Sequence, residues 1–407
     1  MENSSPLFSG GSHIPAQSVC LWCRAAGHVS RRSGSREDKP IETSATEGKR
    51  IAPYGREPGA PDRILIVRLS SIGDVVVASP LIGAFRRTWP RARISWLVEE
   101  ASRPVLEHNA ELHELIVWPR QHWRRLLRGG RLITLAREWV AFLRHLREQR
   151  FDLAVDAQGL LKSGLWAFLS GAPERVGIGS REGSRILMTR VIQRSGNSDR
   201  VSSQYLLLAE ALGLNVGDFP MEVAVGPDAE QFAARLAASL PSAYVALCPF
   251  TTRPQKHWIE DHWRELSIRI ADEHGLSVIL LGGPGDRASG DRILSGDGDA
   301  RMVNMAGRTT IQEAAAIIER AALVIGVDTG LTHMGFALGV PTVALFGATR
   351  PYLTAGLAPG TVIYHPMECS PCRRTPTCDG EFPCMGSITV EEVLAASDPF
   401  LEGSGQP

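Results

Sequence analysis

From Arg63 onward the chain alternates short apolar runs with longer stretches whose apolar side chains recur every three or four positions. The runs are Ile64–Val67, Ile94–Val98, Leu115–Trp118, Leu153–Val155, Tyr244–Leu247, Val278–Leu281, Leu323–Val327 and Thr342–Phe346. Continuous apolar runs this short fit strands buried on both faces, as in a parallel sheet. Val75–Arg87, Leu132–Arg147, His262–Glu273 and Ile311–Arg320 carry the helical period between them. Such alternation predicts an α/β protein with helices on both faces of its sheets. The rhythm lapses once, over 213–227 (GLNVGDFPMEVAVGP), and resumes at Tyr244. Two Rossmann-like domains facing each other across a cleft are therefore expected, 61–230 and 240–396, with 397–407 as a tail. No shorter internal repeat is present.

Residues 1–60 are rich in Ser, Gly, Pro and charge and show no apolar period. That composition predicts a disordered extension, and a start codon placed too far upstream accounts for it equally well. Cys20 and Cys23, with His13 and His28 nearby, could form half of a metal knuckle but lack a second ligand pair.

Composition narrows the partners. The 407 residues suffice for two cores. Lys plus Arg and Asp plus Glu number 44 each, so no global attraction for nucleic acid exists and a charged partner needs a local patch. No window approaches the ~20 apolar residues of a membrane span, and Met1–Cys20 lacks a secretory signal's order. A cytoplasmic protein is expected. One local patch stands out: Arg120, Arg124, Arg125, Arg128, Arg131, Arg137, Arg144, Arg147 and Arg150 are opposed only by Glu138 and Glu148, with Trp118, Trp123, Trp139 and Phe142 interleaved. Basic residues beside aromatics suit an anionic membrane surface or a phosphorylated glycolipid; a solvated helix face is the plainer alternative.

Candidate chemistry follows the strand ends, where open α/β sheets bind ligands. After the first strand comes Ser70-Ser71-Ile72-Gly73-Asp74, in which Gly73 allows close approach and Asp74 could cap the helix, face the cleft, or do both. Val327-Asp328-Thr329-Gly330-Leu331-Thr332-His333 again joins a strand to a helix, whose first N–H groups offer a diphosphate seat. Asp328 would need another task there, such as holding hydroxyls; a buried capping network is the alternative. Thr251-Thr252-Arg253-Pro254-Gln255-Lys256-His257-Trp258 puts hydroxyls and cations in one loop, fit for phosphate oxygens or simply solvated. Leu281-Gly282-Gly283-Pro284-Gly285-Asp286 lacks GxGxxG spacing, but its glycines would admit a base or ribose, with Asp286 as a hydroxyl acceptor. Cys369, Cys372, Cys378 and Cys384 could hold a structural zinc or stay reduced; with no open ligand position, a catalytic metal is not expected. Asp297-Gly298-Asp299 reads as a surface loop.

Together SSIGD (70–74), SWLVEE (95–100), DAQGLLKS (156–163), TTRPQKHW (251–258) and VDTGLTH (327–333) resemble glycosyltransferase family 9, of the lipopolysaccharide heptosyltransferase I type, over about 63–396. The resemblance implies a GT-B fold, the first domain binding acceptor and the second donor. It implies inverting, metal-independent transfer of L-glycero-D-manno-heptose from ADP-heptose, with no cofactor, to the Kdo of the lipopolysaccharide inner-core precursor. Asp74 matches the catalytic base. Thr251, Thr252 and Lys256 match donor-phosphate ligands, with Lys256 also aiding catalysis; Asp328, Thr329, Gly330 and His333 match the donor loop, and Asp286 an acidic donor-site residue. Ser71, Gly73, Arg120, Arg124, Gln158, Lys162 and Arg181 are the expected acceptor contacts. The partners implied are the nucleotide-sugar donor, an anionic glycolipid and the inner face of the cytoplasmic membrane, with no nucleic acid. Two departures stand out: the cysteine segment looks like other family 9 branches, and RVSSQ (200–204) lacks a His and Glu common in type I. Heptosyltransferase II or another family 9 enzyme is the nearer rival. A Rossmann oxidoreductase or epimerase would require GxGxxG and a Tyr-x-x-x-Lys pair, both absent here.

Overall fold

The computed structural model describes residues 60–194, 200–295, 299–349, 351–352, 359–372 and 375–401. The Cys20/Cys23 knuckle with His13 and His28, residues 1–59 of the expected extension, and Asp297 and Gly298 lie outside them. Contacts divide the chain at Arg50, and everything described belongs to the unit from Ile51.

The first sheet contains β1 (Arg63–Val67), β2 (Arg93–Glu99), β3 (Glu114–Trp118), β4 (Leu153–Asp156), β5 (Glu174–Ile178) and β6 (Arg190–Ile192). Its order is β3-β2-β1-β4-β5-β6, and every pairing is parallel; Ile66, for example, lies opposite Trp96 on β2 and Val155 on β4. The second contains β7 (Tyr244–Cys248), β8 (Ser277–Leu280), β9 (Met302–Asn304), β10 (Leu323–Val327), β11 (Thr342–Phe346) and β12 (Gly360–Tyr364). Read from β9, its order is β9-β8-β7-β10-β11-β12, again all parallel. Both sheets thus have the doubly wound order, with the topological switch between the first and fourth strands of each. A switch point opens a crevice at the strands' carboxyl ends. The loops after β1 and β4, and those after β7 and β10, are where the sequence placed its motifs.

All eight predicted strands are present. The four missed ones explain themselves: β5 (ERVGI) is interrupted by Glu and Gly, β6 and β9 are three residues long, and β12 is an edge strand. The predicted helix over 75–87 is instead two helices, α1 (Ile72–Ala78) and α2 (Pro80–Thr88). Pro80 has no N–H to continue α1 but suits the first position of a new helix. At the break, Ser79 Oγ donates to Val76 O (2.7 Å) and accepts Glu222 N–H (2.7 Å).

The other helices that bear on the site are α3 (Arg120–Arg128), α4 (Leu132–Glu148) and α5 (Leu161–Leu169) in the first half. In the second they are α6 (Pro227–Ala238), α7 (Ile311–Glu319), α8 (Gly330–Ala337) and α9 (Val390–Leu401). Helix α6 (Pro227–Ala238) fills most of the gap left between the expected domains 61–230 and 240–396, and α9 runs past 396 with Ser397 and Leu401 buried, so part of the expected tail is packed helix.

Both sheets are buried on both faces. Trp96 illustrates how core and site are joined: its ring is fully buried, and its Nε1 donates to Arg68 O (3.1 Å), fixing the first residue after β1. Truncating such a ring costs about 3–5 kcal/mol.

Candidate active site

The loop after β1 brings Arg68 and Asp74 together. Asp74 Oδ2 accepts the Ser71 N–H (3.2 Å), the Ser71 hydroxyl (3.0 Å) and Arg68 Nη2 (2.7 Å). The cap reading holds: the carboxylate closes its own helix, and half of its side-chain surface stays open. Burial pushes this carboxyl up, but Arg68, the two Ser71 hydrogen bonds and His333 outweigh it and leave it below the usual aspartate range. Arg68 itself is buried. Its Nη1 donates to Ala157 O (3.4 Å), and its guanidinium lies 6.0 Å from the Tyr205 ring centre. Its Nε has no hydrogen-bond acceptor among the described residues.

Across the cleft, Asp328 follows β10 and gathers three partners. Lys256 Nζ lies 2.5 Å from Oδ2, His333 Nε2 lies 3.3 Å from Oδ1, and the Thr349 hydroxyl donates to Oδ2. Lys256 Nζ also donates to Asp328 O (3.3 Å), and His333 Nδ1 lies 2.7 Å from the Tyr352 hydroxyl. Burial raises the Asp328 carboxyl, but His333 and Lys256 overcome that and hold it far below the ordinary value. A fixed anion held by a largely buried lysine leaves the first turn of α8, whose N–H groups have no intrahelical partner, as the positive end of this loop.

The two loops touch through glycines. A Cβ on Gly73 would lie 2.7 Å from His333 Cδ2 and 3.2 Å from Gly330 Cα; one on Gly330 would lie 2.9 Å from Ile72 Cγ2. Only residues without a Cβ let the first turns of α1 and α8 approach so closely.

Other expected site residues are placed as follows. Gln158 Oε1 accepts Leu69 N–H (3.1 Å) and so ties the β4 loop to the β1 loop, while buried Asp156 Oδ1 accepts the Gln158 and Gly159 N–H groups. Lys162 Nζ reaches Ser70 Oγ (3.3 Å) and Glu99 (2.9 Å), and Arg120 pairs with the same Glu99 (3.1 Å). The Thr251 carbonyl lies 2.9 Å from His257 Nε2, and Thr252 is exposed. Arg181 is exposed, and its N–H donates to Gly159 O (2.8 Å). Arg124 is exposed on α3 with no ion-pair partner among the described residues. Asp286 turns into its own loop to accept Gly283 N–H (2.8 Å), and no hydrogen bond joins it to Lys256 or Asp328 among the described residues. Cys369, Cys372, Cys378 and Cys384 are free thiols, and among the described residues no three His, Cys, Asp or Glu side chains come together as a metal-ligand set.

Sequence reasoning missed Arg68, Glu99, Arg194, Thr349 and Tyr352. Arg194 Nη2 donates to Gln158 O (3.0 Å), adding a third arginine, with Arg68 and Arg181, around the β4 loop. Only Glu99 had a signal, its place at the end of an apolar strand within SWLVEE.

The family model described as glycosyltransferase family 9 (heptosyltransferase) matches residues 139–381. The chain is 32% identical over 324 residues to lipopolysaccharide heptosyltransferase 1 of Pseudomonas aeruginosa, covering 76% of this chain and 86% of that one. It is 28% identical over 310 residues to lipopolysaccharide heptosyltransferase 2 of Escherichia coli, covering 73% and 86%. Among solved structures, Escherichia coli heptosyltransferase WaaC with ADP-2-deoxy-2-fluoro heptose superposes with a TM-score of 0.63 at 26% identity, covering 83% of this chain and 99% of that one. Two doubly wound domains, a carboxylate on one loop facing a lysine–aspartate–histidine group on the other, and these likenesses agree: the chain belongs to glycosyltransferase family 9, the heptosyltransferases, and is a glycosyltransferase of GT-B fold.

Proposed function

We propose that the protein transfers L-glycero-D-manno-heptose from ADP-heptose to the Kdo of a lipopolysaccharide inner-core precursor, with inversion at the anomeric carbon and without a metal ion. The observation that carries this reading is the half-open Asp74 carboxylate set against the Lys256–Asp328–His333 group through the Gly73–Gly330 contact.

In this reading the acceptor hydroxyl attacks the anomeric carbon from the face opposite ADP. The new C–O bond forms as the bond to the diphosphate breaks, and the hydroxyl proton passes to Asp74. A carboxylate held below its usual pKa is ionised throughout the neutral range, so the base is always ready. Its weakness is offset by a proton that becomes acidic only as the bond forms. Charge gathering on the leaving diphosphate is met by Lys256 and by the Thr329 and Gly330 amides, with Thr251 and Thr252 on the phosphates and Asp328 and His333 on the sugar hydroxyls. Ser71, Gly73, Gln158, Lys162, Arg120 and Arg181 line the acceptor side, whose cations suit an anionic sugar acid. Asp286 is assigned to the donor side and Arg124 to the acceptor side by the resemblance alone. The protein works at the cytoplasmic face of the membrane that carries its acceptor.

The test is ADP release from ADP-heptose with Kdo-lipid A as acceptor. Turnover on it supports the reading. Turnover confined to an already heptosylated acceptor would replace it with the second-heptose reading, to which the 28% identity with heptosyltransferase 2 also points.

A further inference from the structure

Helices α3 and α4 form a hairpin closed by Gly129-Gly130-Arg131, and its two faces differ sharply. The inner face holds the aromatics. Trp123 packs against Trp139 (5.4 Å between ring centres) and Phe142 (5.5 Å), and Trp166 of α5 completes the cluster. Glu138 is tied to this cluster, accepting Trp123 Nε1 (3.0 Å) and pairing with His122, though it stays partly exposed. The outer face carries aliphatic side chains among arginines. Ile133 is 73% exposed, and Leu127, Leu132 and Val140 are each more than half exposed. On α4, Ile133, Arg137, Val140 and Arg144 follow at spacings of four, three and four, so they form a single stripe. Arg128, Arg137 and Arg144 are exposed and have no carboxylate at ion-pair distance among the described residues.

We infer that this outer face is a docking surface for an anionic lipid bilayer. Aliphatic side chains enter the acyl boundary while the arginines spread their stems along it and keep their guanidinium groups among the lipid phosphates. Residues 119–150 hold nine arginines against two glutamates, whereas the rest of the chain carries 35 Lys and Arg against 42 Asp and Glu, so the basic field is local and points at an anionic partner. Single-stranded nucleic acid would need exposed rings for its bases, and here the rings are turned inward. A second copy of the chain would bring the same arginine field against itself. No described helix is long and apolar enough to cross a membrane, so the contact is peripheral. The hairpin also begins at the site: Arg120, its first residue, shares Glu99 with Lys162, which reaches Ser70. A bilayer under α3 and α4 thus holds a lipid-linked acceptor within reach of Asp74. This inference rests on the reading of the acceptor as a glycolipid.

The experiment is co-sedimentation of the whole protein with vesicles of phosphatidylcholine alone or mixed with phosphatidylglycerol. Two variants are compared, Ile133→Asp/Val140→Asp and Arg128→Gln/Arg137→Gln/Arg144→Gln, and an ADP titration reports an intact site in each. The wild type is expected on phosphatidylglycerol vesicles and not on phosphatidylcholine. The arginine variant should bind on the order of 100-fold more weakly at low salt, the apolar variant should lose binding, and both should keep their ADP affinity. The proposal fails if the wild type ignores phosphatidylglycerol, if both variants bind it as the wild type does, or if the arginine variant loses affinity only for a single-stranded oligonucleotide. Vesicle binding requires no sugar chemistry. A wild type that docks but releases no ADP with any acceptor refutes the heptose reading alone; one that turns over a delipidated Kdo oligosaccharide but never docks refutes this surface alone.

Discussion

Asp74, in the first turn of α1, and Arg68, just after β1, stand six positions apart and meet in a 2.7 Å ion pair, the arginine buried and the carboxylate half open. The pair fixes where the carboxylate points and how readily it takes a proton, while the open half leaves room for a hydroxyl to approach.

Asp74→Asn separates the two tasks of that side chain. The asparagine amide oxygen can still accept the Ser71 N–H and close the first turn, so the fold should hold, with a lower melting temperature from the lost charge opposite buried Arg68. ADP affinity should hold, and kcat should fall by about 10²–10⁴-fold. Turnover near the wild-type level would reduce Asp74 to a cap and sink the mechanism.

Arg68→Gln should shift the pH dependence. Arg68 helps to hold the Asp74 carboxyl below its usual range, and a base must be ionised to work, so the acid limb of kcat/KM should move to higher pH in the variant. The same shift gives a stability contribution that is complete above the unfolded aspartate value and lost as pH falls through the folded one. Its size is modest because Asp74 is half exposed. A pH–rate profile with an unmoved acid limb would show that Arg68 does not tune the base.

Lys256→Met leaves the Asp328 carboxylate with His333 and Thr349 alone. Both members of the pair are about one-eighth exposed, and removing one partner of a buried pair costs about 3 kcal/mol. Asp328→Asn in the same chain should recover much of that in a double-mutant cycle, without restoring donor turnover. Because the Asp328 carboxyl is held far below its ordinary value, its contribution is present at neutral pH and fades under acid. Melting curves from pH 7 down to about 3 should therefore fall less steeply for Asp328→Asn than for the wild type.

Gly73→Ala places a Cβ 2.7 Å from His333 Cδ2, a side chain only 10% exposed that has little room to yield. The two loops must part by several tenths of an ångström. Loss of kcat/KM on the order of 10²-fold, with a small change in melting temperature, is expected. Equal losses in both would mean that the contact serves folding and not reaction geometry.

Much of this was legible in the sequence for a physical reason. Buried parallel strands write themselves as apolar runs, and their carboxyl ends are where loops meet ligands, so Asp74, Lys256, Asp328 and His333 could be located from pattern and motif. What could not be located depends on distance in space. Arg68 ends an apolar run and looks like a strand terminus; Tyr352 lies 19 positions from His333 and meets it only after β11 returns the chain. Trp123, Trp139 and Phe142 show the limit from the other side. Their interleaving with arginine suggested a headgroup contact, but the hairpin turns them inward and leaves aliphatic residues outside.

The break between α1 and α2 has a mechanical consequence. Helix α1, only seven residues long, carries Asp74 in its first turn and ends at Ser79, whose hydroxyl is bonded to Glu222 on the segment leading out of the first half. Four residues on, the Gly226 N–H is held by Gln312 of α7 in the second half (2.9 Å). The helix bearing Asp74 is therefore tied to the crossover itself. Under the mechanism proposed above, any rotation of one half against the other would pull on α1 and so reorient the Asp74 carboxylate.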